Sequence, residues 1–331
     1  MQGFEENEIS KNAFGGTELS KRAIAERIPS ELSDKFQIIA SRSRELNEDK
    51  IRVYWHHDLP EDPEVKNLIS STERDKYHKF VFVSNWQLNE FHNKLGFPLD
   101  GKTSVIENPI IPIELSEPKP TDRINLIYFS TPHRGLELLV PVFEELSQKY
   151  DNMHLDVFSS FEIYGWKKTD LVFETLFQKI KDHPNMTYHG FKPNDVVRAY
   201  LKNAHILAYP NVWKETSCRV LIESMSAGLM CVHPNYGALP ETGAGLTSMY
   251  QFEQDPNAHA KKFYDYLEHA IKVVNTDTAQ NYLKFVKTYA DVRFNLDKIS
   301  GQWYAMMEEL EAQYKEKDLS IPKDVFVYNT N

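Results

Sequence analysis

Residues 204–242 read AHILAYPNVWKETSCRVLIESMSAGLMCVHPNYGALPET, a stretch in which apolar runs alternate with loops. The run AHILAY has the length and composition of a buried strand, and a proline ends it. Thr216 or Ser217 is expected to cap the helix RVLIESMSA, which Gly228 closes. The apolar run Leu229–Val232 then leads into a glycine-containing loop. Strand, helix and strand in this order predict a parallel crossover, and ligands bind such sheets at the carboxyl ends of the strands.

Two glutamates in this stretch, Glu215 and Glu223, are separated by seven residues. Glu215 lies just before the helix, and Glu223 lies on it about two turns further along. A carboxylate accepts two hydrogen bonds at once, which suits a vicinal diol such as a ribose. Two glutamates at this spacing are by themselves ordinary solvated side chains. The order of carboxylate, helix, second carboxylate, strand and glycine loop with Glu241 favours a ligand site instead.

The composition restricts the class of protein. The 331 residues include 41% hydrophobic and 12% aromatic residues, enough for two cores, and the formal net charge is −10. An acidic chain of this kind is not expected to bind nucleic acid. No apolar run approaches the length of about 18 residues that indicates a membrane span, and the polar N-terminus does not read as a signal peptide. The cysteines, Cys218 and Cys231, form no C-x-x-C pair, which favours a reducing compartment, the cytoplasm, over disulfides or zinc.

Apolar runs alternate with amphipathic stretches along the whole chain, which predicts an α/β architecture with parallel sheets. The runs are 36–40, 51–55, 80–84, 104–106, 125–129, 154–158, 204–209 and 230–233. Three prolines in residues 111–123 mark the expected domain boundary. The sequence thus predicts a first domain over 1–113, a linker over 114–122 and a second domain over 123–290, then an amphipathic helix over 291–314 and a charged tail over 315–331.

Together these motifs resemble the retaining glycosyltransferases of the GT-B fold, close to glycosyltransferase family 4, whose signature is E-x7-E followed by a loop near the donor sugar. The resemblance implies two Rossmann-like domains that face each other across a cleft, with the last helix crossing back to the first domain. It also implies transfer of a sugar from a UDP- or GDP-sugar to a hydroxyl acceptor, with retention at the anomeric carbon. Residues 1–13 are polar and offer no apolar strand ahead of the first glycine loop, so we expect an abbreviated first domain.

The resemblance assigns the donor side of the site to the second domain. It implies that Glu223 holds the ribose, that Glu215 contacts hydroxyls of the transferred sugar, and that Arg134 stabilises the leaving diphosphate. The family's second basic residue is missing near Arg134, so Arg219 is the candidate partner of the other phosphate. The remaining donor-side candidates are Ser130, Gly190, Phe191, Lys192, Cys218, Gly237, Ala238 and Leu239. Without the resemblance, the alternative interpretation is that Arg134 is a surface charge and that residues 190–192 form an ordinary β–α turn.

The acceptor side falls on the first domain. Phe14–Gly15–Gly16–Thr17–Glu18 resembles the family's glycine-rich loop, and His57, Asp58 and Trp86 follow predicted strands. We expect His57, rather than its neighbour His56, to face the cleft as a catalytic residue. Joint metal ligation by the two histidines is disfavoured, because adjacent residues on a strand point to opposite faces. The alternative is a structural histidine followed by a loop aspartate.

Three functions remain open at this point. The first is transfer to a glycan, a lipid-linked acceptor or a small molecule. The second is a sugar-nucleotide epimerase or hydrolase of the same fold, and the third is a non-catalytic two-domain ligand-binding protein. No cofactor and no metal are expected, because the GT-B resemblance implies metal independence and no D-x-D pair falls in a predicted strand-end loop.

Overall fold

A computed structural model describes residues 15–41 and 45–314. Within them the chain forms two parallel sheets, which confirms the predicted α/β architecture. The first sheet has the order β1-β2-β3-β4, with β1 Phe36–Ala40, β2 Ile51–Trp55, β3 Lys79–Phe82 and β4 Thr103–Val105. The second has the order β10-β9-β8-β5-β6-β7, with β5 Ile124–Phe129, β6 Met153–Phe158, β7 Met186–Tyr188, β8 Ile206–Ala208, β9 Met230–Pro234 and β10 Ser248–Tyr250.

Helices connect the strands and cover both sheets. Those of the first domain are α1 Gly16–Ala25, α2 Ser30–Ser33, α3 Ser71–Arg74 and α4 Asn85–Leu95. Those of the second are α5 Leu136–Ser147, α6 Glu174–Asp182, α7 Asn194–Leu201, α8 Arg219–Ser226, α9 Leu239–Gly243, α10 Pro256–Val273 and α11 Asp277–Arg293, and α12 Leu296–Gln313 follows. Short 3₁₀ helices cover Pro63–Ile69, Pro132–Arg134, Phe161–Tyr164 and Lys167–Phe173.

The last helix, α12, belongs to the core of the first domain. Its buried side chains, which include Trp303 and Met307, join one hydrophobic cluster with residues of α1, β1 and β2. The Trp303 ring packs edge-on against Trp55 of β2, with 4.7 Å between ring centroids. The opposite face of the sheet is covered by an aromatic cluster around Phe80, Phe91 and Phe97. The first domain is therefore completed by a helix from the far end of the chain.

The chain passes between the domains at two places that lie side by side. The Ile110 N–H donates to the Phe294 carbonyl at 2.8 Å, and the Leu296 N–H donates to the Ile110 carbonyl at 2.9 Å. The crossing thus precedes the sequence-predicted linker 114–122. Ile113 is already buried in the core of the second domain, and the Lys119 ammonium, within that linker, donates to the Ala204 and Gly228 carbonyls.

Helix α8 begins at Arg219, the first residue of its predicted body, but it is not capped as expected. Its N-cap position is Cys218, and no side chain caps it, so the expected cap by Thr216 or Ser217 is wrong. The Thr216 hydroxyl instead donates to the His57 carbonyl of the first domain at 2.7 Å. The end of the helix is as expected, because Gly228 has φ +66° and its N–H donates to the Met225 carbonyl at 2.9 Å.

The sequence did not reveal β10, α10 or α11. The expected loss of the first strand falls on residues 1–13, and the expected tail on 315–331; both lie outside the described residues.

Candidate active site

A cleft with about 670 Å³ of empty space opens at the carboxyl ends of β5, β6 and β7. Its wall includes residues of both domains, because Gly16 and Leu19 of α1 face the loops of the second domain there. The sequence-predicted residues that line it are Gly16, Ser130, Gly190, Phe191, Lys192, Arg219 and Glu223. The structure therefore brings together, in one cleft, residues that the sequence predicts to contact the ribose, the base and the phosphates of a nucleotide.

Glu223 lies at the floor of this cleft and is only 1% exposed. Its carboxylate accepts from Asn194 Nδ2 at 3.1 Å and from Arg219 at 3.1 Å, and Arg198 approaches to 3.5 Å. Asn194 and Arg198 were missed from the sequence. Their i, i+4 spacing in NDVVRAYL could have indicated them, because it places both side chains on one face of α7. Buried charge needs such partners, so Glu223 is held in a defined position.

The two arginines around Glu223 also reach the crossing between the domains. Arg219 donates to the Pro109 carbonyl at 2.6 Å, and Arg198 donates to the Ile111 carbonyl at 2.8 Å. The floor of the cleft is therefore joined to the crossing by charge-assisted hydrogen bonds.

Glu215 and Arg134, the predicted sugar and diphosphate groups, form an ion pair with each other. Arg134 donates to Glu215 Oε1 at 2.5 Å, and Tyr209, also missed from the sequence, donates its hydroxyl to the same oxygen at 2.6 Å. Burial disfavours the Arg134 charge, but Glu215 together with Tyr164 and Tyr209 more than offsets this, and the pKa of Arg134 is raised well above its usual value. Burial and the nearby Glu215 raise the pKa of Tyr209, which keeps its proton for the hydrogen bond.

Gly135 allows the two strand-end loops that carry this pair to approach each other. It has φ +107°, and a Cβ atom there would lie 2.0 Å from the Pro210 carbonyl oxygen. Only glycine fits such a position. Thr131, three residues ahead of Arg134, lines the cleft, so the pair lies next to it although neither residue is part of its wall.

The loop of Gly237 supports Glu215 instead of presenting three free N–H groups. The Ala238 N–H donates to the Glu215 carbonyl at 2.8 Å, and the Leu239 N–H donates to the Tyr236 carbonyl at 3.3 Å. The expectation that Ala238 and Leu239 offer these groups to the donor is therefore wrong for this structure, since both are already engaged within the protein. Gly237 has φ +62° and touches the Glu215 backbone.

Cys218 was expected on the donor side, but its side chain lies in the hydrophobic core. It is 2% exposed and packs in the main cluster of the second domain, and burial raises the pKa of its thiol. Cys218 does not line the cleft, so its side chain is not in reach of a ligand there.

The predicted glycine loop of the first domain faces the second domain. A Cβ atom on Gly16 would lie 3.8 Å from Arg219 Cδ, and one on Gly15 would lie 2.8 Å from Tyr164 Cε1. Thr17, the second residue of α1, is partly exposed. Phe14 lies outside the described residues. Close approach without side chains is the use expected of these glycines.

The histidine pair separates as the alternation of a strand requires. His56 is fully buried among aromatic rings and stacks on Phe82 at 4.4 Å, so it is a core residue. His57 is partly buried at the domain junction, and its backbone N–H donates to Ser41 Oγ at 3.1 Å. Its Nε2 is buried and has no hydrogen-bond partner within 15–41 and 45–314. Burial, with a contribution from Lys21, lowers the pKa of His57 to about 3.

Asp58 makes a backbone hydrogen bond to helix α4 of its own domain, whereas Trp86 makes one to the second domain. The Asp58 carbonyl accepts from Gln87 Nε2 at 2.8 Å. The Trp86 N–H donates to Glu241 Oε2 at 2.7 Å, and the Asn85 N–H donates to Glu241 Oε1 at 2.9 Å. A carboxylate of the second domain thus caps the N-terminus of α4 in the first, where the helix dipole favours negative charge.

The described part of the chain has no helix that is long and apolar enough to cross a membrane. In the same residues, no three His, Cys, Asp or Glu side chains are grouped so that they could hold a metal ion.

The second domain matches a known protein family. The family described as Glycosyl transferases group 1 matches residues 124–269, which hold the second sheet and its cleft-lining loops. No curated protein matches the sequence. The two parallel domains have the GT-B arrangement of glycosyltransferases, as the resemblance implied, and the family match indicates a glycosyltransferase enzyme.

Solved glycosyltransferases share this fold at low sequence identity. A glycosyltransferase from Rickettsia africae superposes with a TM-score of 0.65 at 16% identity, over 91% of this chain and 83% of that one. The sucrose-phosphate synthase of Thermosynechococcus elongatus gives 0.63 at 16% identity, over 80% and 69%. Anabaena HepE in complex with UDP gives 0.61 at 18% identity, over 88% and 77%.

Proposed function

We propose that this protein is a retaining, metal-independent glycosyltransferase similar to family 4, which moves a sugar from a UDP-sugar to a hydroxyl acceptor. The observation that carries the proposal is the cleft in which buried Glu223 meets Arg219, Ser130 and the loop of Gly190, with Gly16 of α1 in the same wall. UDP is preferred to GDP as the nucleotide because the similar Anabaena HepE has been solved with UDP and with UDP-glucose. Both cysteines are free and buried, which fits a reducing compartment, and we infer a cytoplasmic location.

The cleft offers the groups that a nucleotide needs, each in a fixed place. Glu223 accepts hydrogen bonds from the two ribose hydroxyls. These bonds replace the hydrogen bonds that it accepts from Asn194 in this structure. Residues 190–192 border the base, and Gly190 is in the left-handed conformation, with φ +64°, that turns the loop there. Arg219 and the Ser130 hydroxyl lie in the same wall and bind phosphate oxygens.

The chemical step needs charge stabilisation more than a strong base. As the anomeric C–O bond to the diphosphate breaks, negative charge develops on the leaving oxygen, and Arg134 lies beside Glu215 to stabilise it. Glu215 holds hydroxyls of the transferred sugar. In a front-face mechanism the leaving phosphate takes the acceptor proton, and the acceptor oxygen attacks from the same side, which retains the configuration. His57, neutral because of its low pKa, is proposed to hydrogen-bond the acceptor hydroxyl.

The proposal is tested by nucleotide binding. Calorimetry with UDP, GDP and UDP-glucose on Glu223→Ala is expected to show UDP binding weakened at least about tenfold, because charge-assisted hydrogen bonds are worth about 1.5–3 kcal/mol each. Glu309→Ala, which removes an exposed glutamate on α12, is the matched control and keeps the wild-type affinity. An unchanged dissociation constant in a folded Glu223→Ala variant would remove Glu223 from the site.

Turnover separates transfer from the other activities of this fold. UDP release from a UDP-sugar is measured with and without saccharide and alcohol acceptors, in excess chelator. Acceptor-dependent release that survives the chelator supports a metal-independent transferase. Equal release without acceptor identifies a hydrolase or epimerase, and binding without any release identifies a ligand-binding protein. Activity that is lost in chelator and restored by manganese contradicts metal independence.

A further inference from the structure

Trp213 is an exposed aromatic residue on a rigid support. It lies in the loop between β8 and α8, two residues ahead of Glu215, and is 45% exposed. Its backbone is fixed by Asn211, which is fully buried: Asn211 Nδ2 donates to the Trp213 carbonyl at 2.5 Å, and the Trp213 N–H donates to Asn211 Oδ1 at 3.1 Å. A large apolar side chain on such a rigid support offers a ligand a packing surface that is formed in advance.

The indole ring is also held from the side. The ring of His133 meets it edge-on at 5.2 Å between centroids. His133 in turn stacks on the buried Phe161 at 5.1 Å, with an angle of 17° between the ring planes. The orientation of the Trp213 ring is therefore determined before any ligand binds, which lowers the entropy that binding costs.

The position of the indole connects it with the reaction. The Arg134 guanidinium lies 5.9 Å from the Trp213 ring centroid, and the same guanidinium pairs with Glu215. Lys214, the residue after Trp213, extends to the first domain, where its Nζ lies 3.8 Å from Glu61 Oε1. Trp213 does not border the cleft assigned to the nucleotide. It lies close to the Arg134–Glu215 pair, where the proposed function places the transferred sugar, and its neighbour Lys214 reaches the first domain.

The surroundings of the ring select one kind of ligand. Arg134 lies 5.9 Å from the ring centroid, and Lys214, which follows Trp213 in the chain, pairs with Glu61, so a hydrocarbon chain packed on the indole would dehydrate charged groups next to it. A pyranose combines an apolar C–H face with hydroxyl groups around its edge. Its face packs on the indole, and its hydroxyls reach the charged neighbours.

We propose that Trp213 is the stacking platform for a sugar ring of the acceptor, and that the acceptor class is a carbohydrate and not a lipid alcohol. The inference rests on the proposed function, which places the transferred sugar at Glu215. It adds a specificity-determining residue on the acceptor side, and it separates the roles of two neighbouring loops: the cleft of Glu223 binds the nucleotide, and the loop of Trp213 binds the acceptor.

The test is saturation-transfer NMR and calorimetry on the full chain with UDP bound. The probes are methyl glycosides of glucose, galactose, mannose and N-acetylglucosamine, together with maltotriose and cellotriose. We expect at least one saccharide to bind the wild type and to bind Trp213→Ala about tenfold more weakly, as the loss of one aromatic packing partner predicts. Trp213→Phe keeps an aromatic face and retains affinity within about threefold. Trp166→Ala removes another exposed indole and is the matched control, with unchanged binding.

The outcomes separate this inference from the proposed function. If UDP fails to bind the wild type, the proposed function and the inference both fail. If UDP binds but no saccharide does, or if Trp213→Ala binds saccharides as the wild type does, only the inference is overturned. It is overturned as well if Trp213→Ala loses UDP affinity to the same degree, because the residue then belongs to the donor site. Binding of polyprenyl phosphate in detergent micelles that depends on Trp213 would assign the platform to a lipid.

Discussion

Arg134 has its charge compensated before any substrate arrives. Its partner Glu215 is 7% exposed in its side chain, so loss of the arginine leaves a carboxylate buried without its cation. Arg134→Ala is therefore expected to lower turnover by about two to three orders of magnitude, as the removal of one transition-state donor does, and to lower the melting temperature.

Arg134→Lys separates these two effects. It keeps the charge that the leaving group needs but loses the planar fork, so its turnover should fall between those of the wild type and Arg134→Ala, with a near-normal melting temperature. Steady-state kinetics and thermal unfolding of both variants provide the check. Wild-type turnover in both would limit Arg134 to a structural pair with Glu215.

The protonation of His57 makes the stability of the protein depend on pH. Burial lowers its pKa to about 3 in the folded protein, against about 6.5 in the unfolded chain. The unfolded state therefore binds more protons between these values, so His57 lowers the free energy of unfolding as pH falls from about 6.5 toward 3. His57→Gln should flatten this decline and also reduce transfer while leaving UDP affinity unchanged. Melting curves from pH 7 to pH 4 are compared with the wild type; parallel curves and a normal transfer rate would show that His57 has neither role.

At the scale of elements, local patterns were predictable and contacts between distant segments were not. The strands β1 and β2 have the predicted bounds, because short apolar runs between polar loops leave little choice of register. The cap of α8 was mispredicted because Cys218 occupies the N-cap position, and the Thr216 hydroxyl contacts the carbonyl of His57, which is 159 residues away in sequence. The Arg134–Glu215 pair likewise joins two strand ends that are 81 residues apart. The residue types predicted a ligand site, but only the structure shows that these two side chains form an ion pair with each other.

The Gly237 loop shows how one element positions another. A Cβ atom there would lie 2.6 Å from both the nitrogen and the oxygen of the Glu215 backbone, in addition to the strain of φ +62°. Gly237→Ala should therefore cost about 1–3 kcal/mol of stability and displace Glu215, lowering kcat with little effect on UDP affinity. Gly245→Ala is the control, since Gly245 has φ +72° but no atom within 4 Å of the added Cβ. If both variants lose the same stability and activity, the close approach to Glu215 is irrelevant.

At the scale of the whole molecule, the two domains are joined by polar contacts around a narrow crossing. Ile110 and Asn295 pair side by side where the chain passes between the domains. Arg219 and Arg198 connect the backbone next to this crossing with Glu223. On the other side of the interface, Ser84 Oγ donates to the Thr216 carbonyl at 2.7 Å, and Glu241 caps α4. A nucleotide that changes the partners of Glu223 therefore acts on groups that contact this crossing.

Glu241 is the part of this interface that is most open to a direct test. Its carboxylate accepts from the N–H groups of Asn85 and Trp86, and also from Asn85 Nδ2 at 2.8 Å. Glu241→Ala removes all of these bonds and the charge at the start of α4, whereas Glu241→Gln keeps one oxygen and loses the charge. We expect Glu241→Ala to open the domains without substrate, seen as a larger radius of gyration in X-ray scattering, and to lower the transfer rate, with Glu241→Gln intermediate.

UDP should restore part of the closure in Glu241→Ala, because the cleft has walls from both domains and the nucleotide contributes contacts of its own. Glu309→Ala, on the outer face of α12, controls for the loss of one negative charge and should scatter like the wild type. A Glu241→Ala variant with the wild-type radius of gyration and transfer rate would mean that the cap on α4 does not hold the domains together. Closure would then depend on other contacts between the domains, among them the hydrogen bonds of Thr216 and Ser84, and Thr216→Val would be the next variant to test.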